Sequence, residues 1–183
     1  MQTIPLNSHP STPCELIRRF TVRVQKTSDG VLALEYTVEG DMAGLHIPRP
    51  RVARRTDGLW RHTCFEAFLM HREGYYEFNF APSSEWAVYH FESYRDGMSV
   101  VRQAPPPKIS LTLDAYRLGL NAMIDLNGLS TEIESATLSL ALSAVIEEQD
   151  GRLSYWAFKH PPGQPDFHHP DGFALRLDSA GNN

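Results

Sequence analysis

Three groups of residues in this sequence have types and spacings that could do chemistry. The first is a pair of carboxylates with polar companions. Glu66 sits in TCFEAF, and Glu77 and Asn79 follow in YYEFNF. In an extended chain successive side chains alternate between faces, so His62, Cys64, Glu66 and Phe68 share one face and Glu77 shares another with Asn79. Two carboxyls and an amide on one surface can hold the hydroxyls of a ligand or move protons. Whether they meet depends on a hairpin register near residues 70–76. A two-residue turn at Glu73-Gly74 pairs Phe68 with Asn79 and Met70 with Glu77, and the polar rows converge; a three-residue turn separates them. A carboxylate buried among Phe65, Phe68 and Leu69 demands a partner. The plain structural alternative is therefore a Glu66 bonded to an arginine such as Arg55 or Arg61.

The second group is aromatic: Trp60, Tyr75, Tyr76, Trp86, Tyr89, Tyr94, Tyr155 and Trp156. Sugar rings stack on aromatic faces while carboxylates and amides bond their hydroxyls, so such a floor with nearby Glu, Asn and Arg suits a carbohydrate. The competing reading is that these rings fill a core. The third group is the loop KHPPGQPDFHHP and its continuation, with His160, Asp166, His168, His169 and Asp171. His and Asp are metal ligands, but the spacing matches no metal template. Adjacent histidines on an extended backbone also point opposite ways, so no metal is assigned. Arg49, Arg51, Arg54 and Arg55 form the one basic cluster, and arginine forks match carboxylates and phosphates. Cys64 reads as a small buried hydrophobe.

The elements that must position these groups show a period of two. Residues 17–26 alternate, with Phe20, Val22 and Val24 on one face. Ser28-Asp29-Gly30 then turns the chain into a partner strand over 31–39. Residues 45–58 read as an irregular loop. Residues 59–70 and 75–80 form a second hairpin whose first strand is apolar on both faces except at Glu66, which marks a central strand. Further strands are expected over 85–91, 108–114, 116–126, 136–146, 153–160 and 173–177, with a break at Pro105-Pro106-Pro107. No segment shows an apolar 3.6-residue period. Many short strands between regular turn signals predict an all-β antiparallel β-sandwich, of jelly-roll or immunoglobulin-like form, with about ten strands.

The chain has 183 residues, of which 42% are apolar and 21% charged, so it is long enough for one core and too apolar for disorder. Seventeen Lys and Arg against 22 Asp and Glu leave a net charge of −5, which disfavours general nucleic-acid binding. No apolar stretch approaches a membrane span. MQTIPLNSHP lacks the basic and apolar parts of a secretory signal, and the two cysteines, Cys14 and Cys64, are too few for a disulfide framework; both suit the cytoplasm. The common nucleotide, hydrolase and paired-cysteine motifs are absent.

The runs DGLWRHTCFEAFL (57–69), YYEFNFAPSSEWAVYHFESYRDGM (75–98) and HPPGQPDFHHPDGFAL (160–175) resemble the bacterial DOMON-like domain family. The resemblance extends over roughly residues 15–178. It implies a sandwich related to DOMON domains and family 9 carbohydrate-binding modules, relatives that bind haem or sugars rather than catalyse. With the polar, Pro-rich composition of residues 1–15, which reads as an arm or a disordered segment, the boundaries expected are an N-terminal arm over 1–15, the domain over 16–178 and a polar tail over 179–183. The function expected is a non-enzymatic binder of a sugar or anionic sugar derivative. The alternatives are a haem or metal binder, or a glycan-active enzyme using Glu66 and Glu77. The candidate ligand-binding residues are Arg55, Trp60, His62, Glu66, Glu77, Asn79, Trp86, Arg95, Asp166 and His168. No catalytic residue, metal or resident cofactor is assigned. Haem stays open, because Met98 with His168 or His169 supplies the residue types that cytochrome-type relatives use.

Overall fold

Along residues 17–26 the alternation is realised as read: Phe20, Val22 and Val24 are buried while Arg19 and Arg23 face solvent. The structure, a computed structural model, describes residues 2–71, 74–129 and 137–177. Among these, fourteen strands form. They are β1 (Gln2–Pro5), β2 (Asn7–Ser8), β3 (Ile17–Lys26), β4 (Val31–Gly40), β5 (Arg54–Arg55), β6 (Cys64–His71) and β7 (Gly74–Phe80), followed by β8 (Glu85–Phe91), β9 (Ser99–Val100), β10 (Lys108–Leu113), β11 (Arg117–Asp125), β12 (Leu138–Glu147), β13 (Leu153–Ala157) and β14 (Leu175–Leu177). The excess over the expected ten comes from pieces of two to four residues, too short to show a period. At the β3–β4 turn Gly30 takes a φ of +83°, and a Cβ there would lie 2.1 Å from the Asn127 amide oxygen, so glycine is required.

One sheet has the order β1-β3-β4-β11-β10. The other runs β2-β13-β12-β6-β7-β8-β5, with β14 beside β12 and β9 beside β8. All pairings are antiparallel except the two-residue β5–β8 ladder. This is the all-β sandwich that the alternation predicts. The helical turns among the described residues are three-residue 3-10 turns, and no helix is long and apolar enough to cross a membrane.

Between the sheets, Phe20 and Tyr36 from one interlock with Phe65 and Trp156 from the other; the Tyr36 and Phe65 ring centroids are 5.2 Å apart. The buried Tyr36 hydroxyl crosses the sandwich and donates to the Glu66 carbonyl at 2.8 Å, which satisfies its polar end. The second sheet also buries its outward face. There Phe68, Tyr75, Ala87, Tyr89, Phe91 and Ala141 pack under Phe167 and Phe173. Two-sided burial explains why β6, between β12 and β7, is apolar on both faces.

The first fifteen residues do more than form an arm. β1 pairs with β3, placing Ile4 opposite Val22, and β2 pairs with β13, placing Ser8 opposite Trp156. Ile4 and Leu6 are buried. The expected tail over 179–183 lies outside the described residues. Replacing Leu6 by Ala should destabilise the protein by ~2–5 kcal/mol, the range for a buried leucine. Urea unfolding followed by tryptophan fluorescence measures it; an unchanged midpoint would mean that the segment is a loose arm.

Candidate functional site

The register of the second sheet builds the site. Glu66 pairs with Asn79, and Phe68 with Glu77, in the β6–β7 hairpin. The polar rows therefore converge, but in neither of the two registers weighed from sequence. Gly74 belongs to β7 and pairs with His71; residues 72 and 73 lie outside the described residues. Gly74 has a φ of +105°, and a Cβ there would sit 1.8 Å from the Phe91 carbonyl oxygen, which is why glycine starts β7.

Across the sheet the outward rows read Ala157–Ser143–Glu66–Asn79–Ala87 and Ala141–Phe68–Glu77–Tyr89–Val100. Small side chains at 87, 141 and 143 lower the floor. Above it lies a cavity of about 320 Å³, lined by Glu66, Glu77, Trp60, Tyr89, Phe91, Arg95, Met98, Val145, Tyr155, Pro165, Phe167 and His168.

Two carboxyls stand at the base of this cavity with no arginine bonded to either among the described residues. Glu66 is buried, and its Oε1 has no hydrogen-bond partner; the neighbouring Ser143 Oγ has none either. Burial drives the Glu66 carboxyl well above the ordinary range. The nearby Glu77 adds to the rise and the Ser143 hydroxyl opposes it. Burial also pushes Glu77 up to about 7, against the Asn79 hydrogen bond and the Arg95 charge. Glu77 is oriented by a short relay: the Cys64 thiol donates to Asn79 Oδ1 at 3.3 Å, and Asn79 Nδ2 donates to Glu77 Oε1 at 2.7 Å.

The roof comes from two loops. The His168 ring packs against Phe68, Tyr75 and Phe91. The Tyr75 hydroxyl accepts from the Arg95 amide at 3.2 Å and lies 2.7 Å from His168 Nδ1. The Tyr75 hydroxyl thus joins the Arg95 backbone to the His168 ring. Nε2 lies 3.7 Å from Glu77 Oε2, beyond hydrogen-bond reach. Burial lowers His168 to about 4. Between that value and the Glu77 value both groups are neutral, so this contact is not an ion pair. Arg95 has a left-handed φ of 55°. Its guanidinium donates to Asp166 Oδ1 at 2.8 Å, and the Tyr94 hydroxyl donates to Asp166 Oδ2 at 2.6 Å. Asp166 thus fastens one roof loop to the other, and its carboxyl is held below the usual range by these donors despite partial burial.

Of the candidate residues, Trp60, Glu66, Glu77, Arg95 and His168 line the cavity, while Asn79 and Asp166 stand behind them as supports. Three lie elsewhere. Trp86 packs in the inter-sheet core, Arg55 covers the Trp86 ring at 4.2 Å, and His62 bonds Glu147. The basic cluster is also displaced from the cavity. Arg49 and Arg51 line a second cleft of about 790 Å³, and Arg54 pairs with Glu85. The residues missed from sequence are Phe91 and Phe167. Phe91 follows Tyr89 by two in the same strand, a signal that was available; Phe167 is placed by loop packing that carries no period. His168 and His169 do diverge, His168 inward and His169 accepting from the Asp171 amide through its Nδ1.

No family model matches the chain, and no curated protein matches it. Among solved structures, a candidate carbohydrate-binding protein from Bacteroides uniformis superposes with a TM-score of 0.60 at 14% identity, over 94% of this chain and 84% of that one. At this identity the likeness speaks for the fold.

The carboxyls make stability depend on pH. Glu77 stands at about 7 when folded against an ordinary 4.5. The folded state therefore keeps a proton that the unfolded chain has released, and stability falls as pH rises from about 4.5 to 7. Glu77→Gln removes that loss, so the variant should exceed the parent by ~3 kcal/mol at pH 8, with the gain gone by pH 4. His168, lowered to about 4 from 6.5, has the opposite sign and loses stability as pH falls across that interval. The variant should therefore destabilise on acidification more steeply than the parent. Urea midpoints from pH 4 to 8 test both slopes; a variant no more stable than the parent at pH 8 contradicts the assignment.

Proposed function

We propose that the chain is a DOMON-like β-sandwich that binds a sugar without catalysis, in the cavity over its second sheet. The observation that carries this reading is Glu66 Oε1, buried without a partner at the base of an aromatic-walled cavity. Buried polar atoms in folded proteins are nearly always bonded, and an orphan calls for a reason. A ligand hydroxyl supplies the missing donor. Trp60, Tyr89 and Tyr155 offer ring faces and edges, and Arg95 and His168 offer polar partners. A volume of about 320 Å³ suits a ligand of about one sugar ring. The likeness to the Bacteroides uniformis protein points the same way. Two carboxyls face a single arginine that Asp166 already engages, so a neutral sugar suits the cavity better than an anionic one. Both cysteines are free and buried, which suits a reducing cytoplasm.

A second reading, a glycan-active enzyme, draws on Glu77. A carboxyl pushed to about 7 stands where general acid–base groups work. Haem fits less well. Met98 and His168 both line the cavity, but His168 Nδ1 is engaged by Tyr75 and its Nε2 faces Glu77. Two buried carboxyls in the cavity wall also suit the apolar face of a porphyrin poorly, so no haem is assigned.

Titration calorimetry with a panel of neutral mono- and disaccharides tests the proposal. Saturable binding should weaken ~10-fold in Trp60→Ala and in Glu66→Gln, the loss of roughly one stacking contact or one well-placed hydrogen bond. Glu77→Gln separates the two readings: bound sugar with turnover lost from an active parent means an enzyme, whereas bound sugar with no turnover in either means a binder. No saturable binding across the panel removes the sugar reading.

A further inference from the structure

Outside the cavity, the β6–β12 ladder brings a second set of groups together. Its last pair is Val145 with Cys64. One alternation further along the same face, His62 stands beside Glu147, and the chain before β5 lays His46 against them. His62 Nδ1 lies 2.8 Å and His46 Nδ1 2.9 Å from the same oxygen, Glu147 Oε2. The three donor atoms lie within 4.8 Å of one another.

Their backbones are tied together by one buried hydroxyl. Thr63 Oγ1 donates to the His46 carbonyl at 2.7 Å and accepts from the Glu147 amide at 3.1 Å. The His46 amide in turn donates to the Glu147 carbonyl at 2.8 Å. Gln149 laces the same segments again, its Nε2 donating to the Leu45 carbonyl at 2.9 Å. Two imidazoles and a carboxylate, delivered by three chain segments onto one point, are a donor set that zinc takes. Ligands around a tetrahedral zinc stand ~3.3 Å apart at bonds of ~2.0–2.1 Å. The present spacing reaches this by side-chain adjustment, with the backbone ties unmoved. One rigid hydroxyl holding all three segments does the work of outer-shell support at a metal centre.

We propose that His46, His62 and Glu147 form a zinc-binding site, separate from the cavity over the second sheet. The histidines bind through Nδ1 as neutral imidazoles with their remaining proton on Nε2, and Glu147 binds through Oε2; any proton in excess of this goes to solvent. A three-ligand set leaves a coordination position for water or an added ligand. Both histidines also line the second cleft with Arg49, Arg51 and Arg61. The open position therefore lies near the basic cluster whose placement the sugar reading leaves unused.

The full chain, untagged and chelator-treated, is titrated with Zn²⁺ by calorimetry, and Co²⁺ is added to report coordination by its visible spectrum. The expected result is one ion per chain. His46→Ala and His62→Ala should each weaken binding at least ~10-fold, in line with the loss of a ligand, and the double variant should abolish it. Both histidines are exposed, so these variants keep the fold, checked by an unchanged thermal midpoint without metal. Zinc should raise that midpoint in the parent and not in the double variant. Absence of stoichiometric binding, or equal affinity in parent and double variant, overturns the assignment. Neither result depends on whether the cavity binds a sugar.

Discussion

The His168 ring is wedged among Phe68, Tyr75 and Phe91, with centroid separations of 5.1, 5.8 and 5.0 Å, and this contact lets the second sheet bury its outward face. A sheet with one solvated face would leave Glu66 and Glu77 in water, ordinary and inert. Because the loop carrying His168 is pinned to that face, the two carboxyls are desolvated instead. Everything distinctive about the site follows: the raised protonation of both acids, the orphaned oxygen and the aromatic walls. The same ring accounts for the polar roof. Its Nδ1 shares a hydrogen bond with the Tyr75 hydroxyl, Tyr75 accepts from the Arg95 amide, and Arg95 meets Asp166 two residues before His168.

A comparison within the molecule shows what is unusual about the cavity. Glu85 is also buried, but Arg54, Thr56 and Ser83 all donate to it, and its carboxyl stays below the usual range. Glu148 likewise meets Arg152. Desolvation there is offset by charge and hydrogen bonds from the chain itself. At Glu66 the chain supplies no charged donor: only the Ser143 hydroxyl faces the carboxyl, and Oε1 makes no hydrogen bond. The fold can bury a carboxylate with full satisfaction and does so elsewhere, so the shortfall in the cavity is a local property and not a general looseness of packing.

Much of this was legible in the residues. Strict alternation marked the long strands, and a strand apolar on both faces marked β6 as central. Period-two geometry also put His62, Cys64, Glu66 and Phe68 on one face, where the structure has them. The failures have physical causes. β1 and β2 are two to four residues long and interrupted by proline, so no periodicity could show that they pair. Hairpin register depends on which residue starts the return strand, and a difference of one at Gly74 shifted the pairing by two. The four arginines between 49 and 55 look like one site in sequence. In space, Arg51 and Arg54 both turn to Glu85 on the wall of the second cleft, and Arg55 covers Trp86, so none of them reaches the cavity. His46 offered no signal, because its partner Glu147 is about a hundred residues away.

The route of the N-terminal segment has a consequence for how the chain reaches this state. Its first strand caps one sheet, while its second pairs with β13, far along the sequence. One border of the second sheet is thus closed by two segments far apart in the sequence, the later of which is made long after the earlier. Until Trp156 and its neighbours arrive, that border carries unpaired amides and carbonyls, the kind of surface to which other strands add. A growing or truncated chain is therefore open to intermolecular pairing along β12. Closure is a long-range event whose entropy must be met before its contacts form. The finished protein hides a vulnerability that belongs to its synthesis.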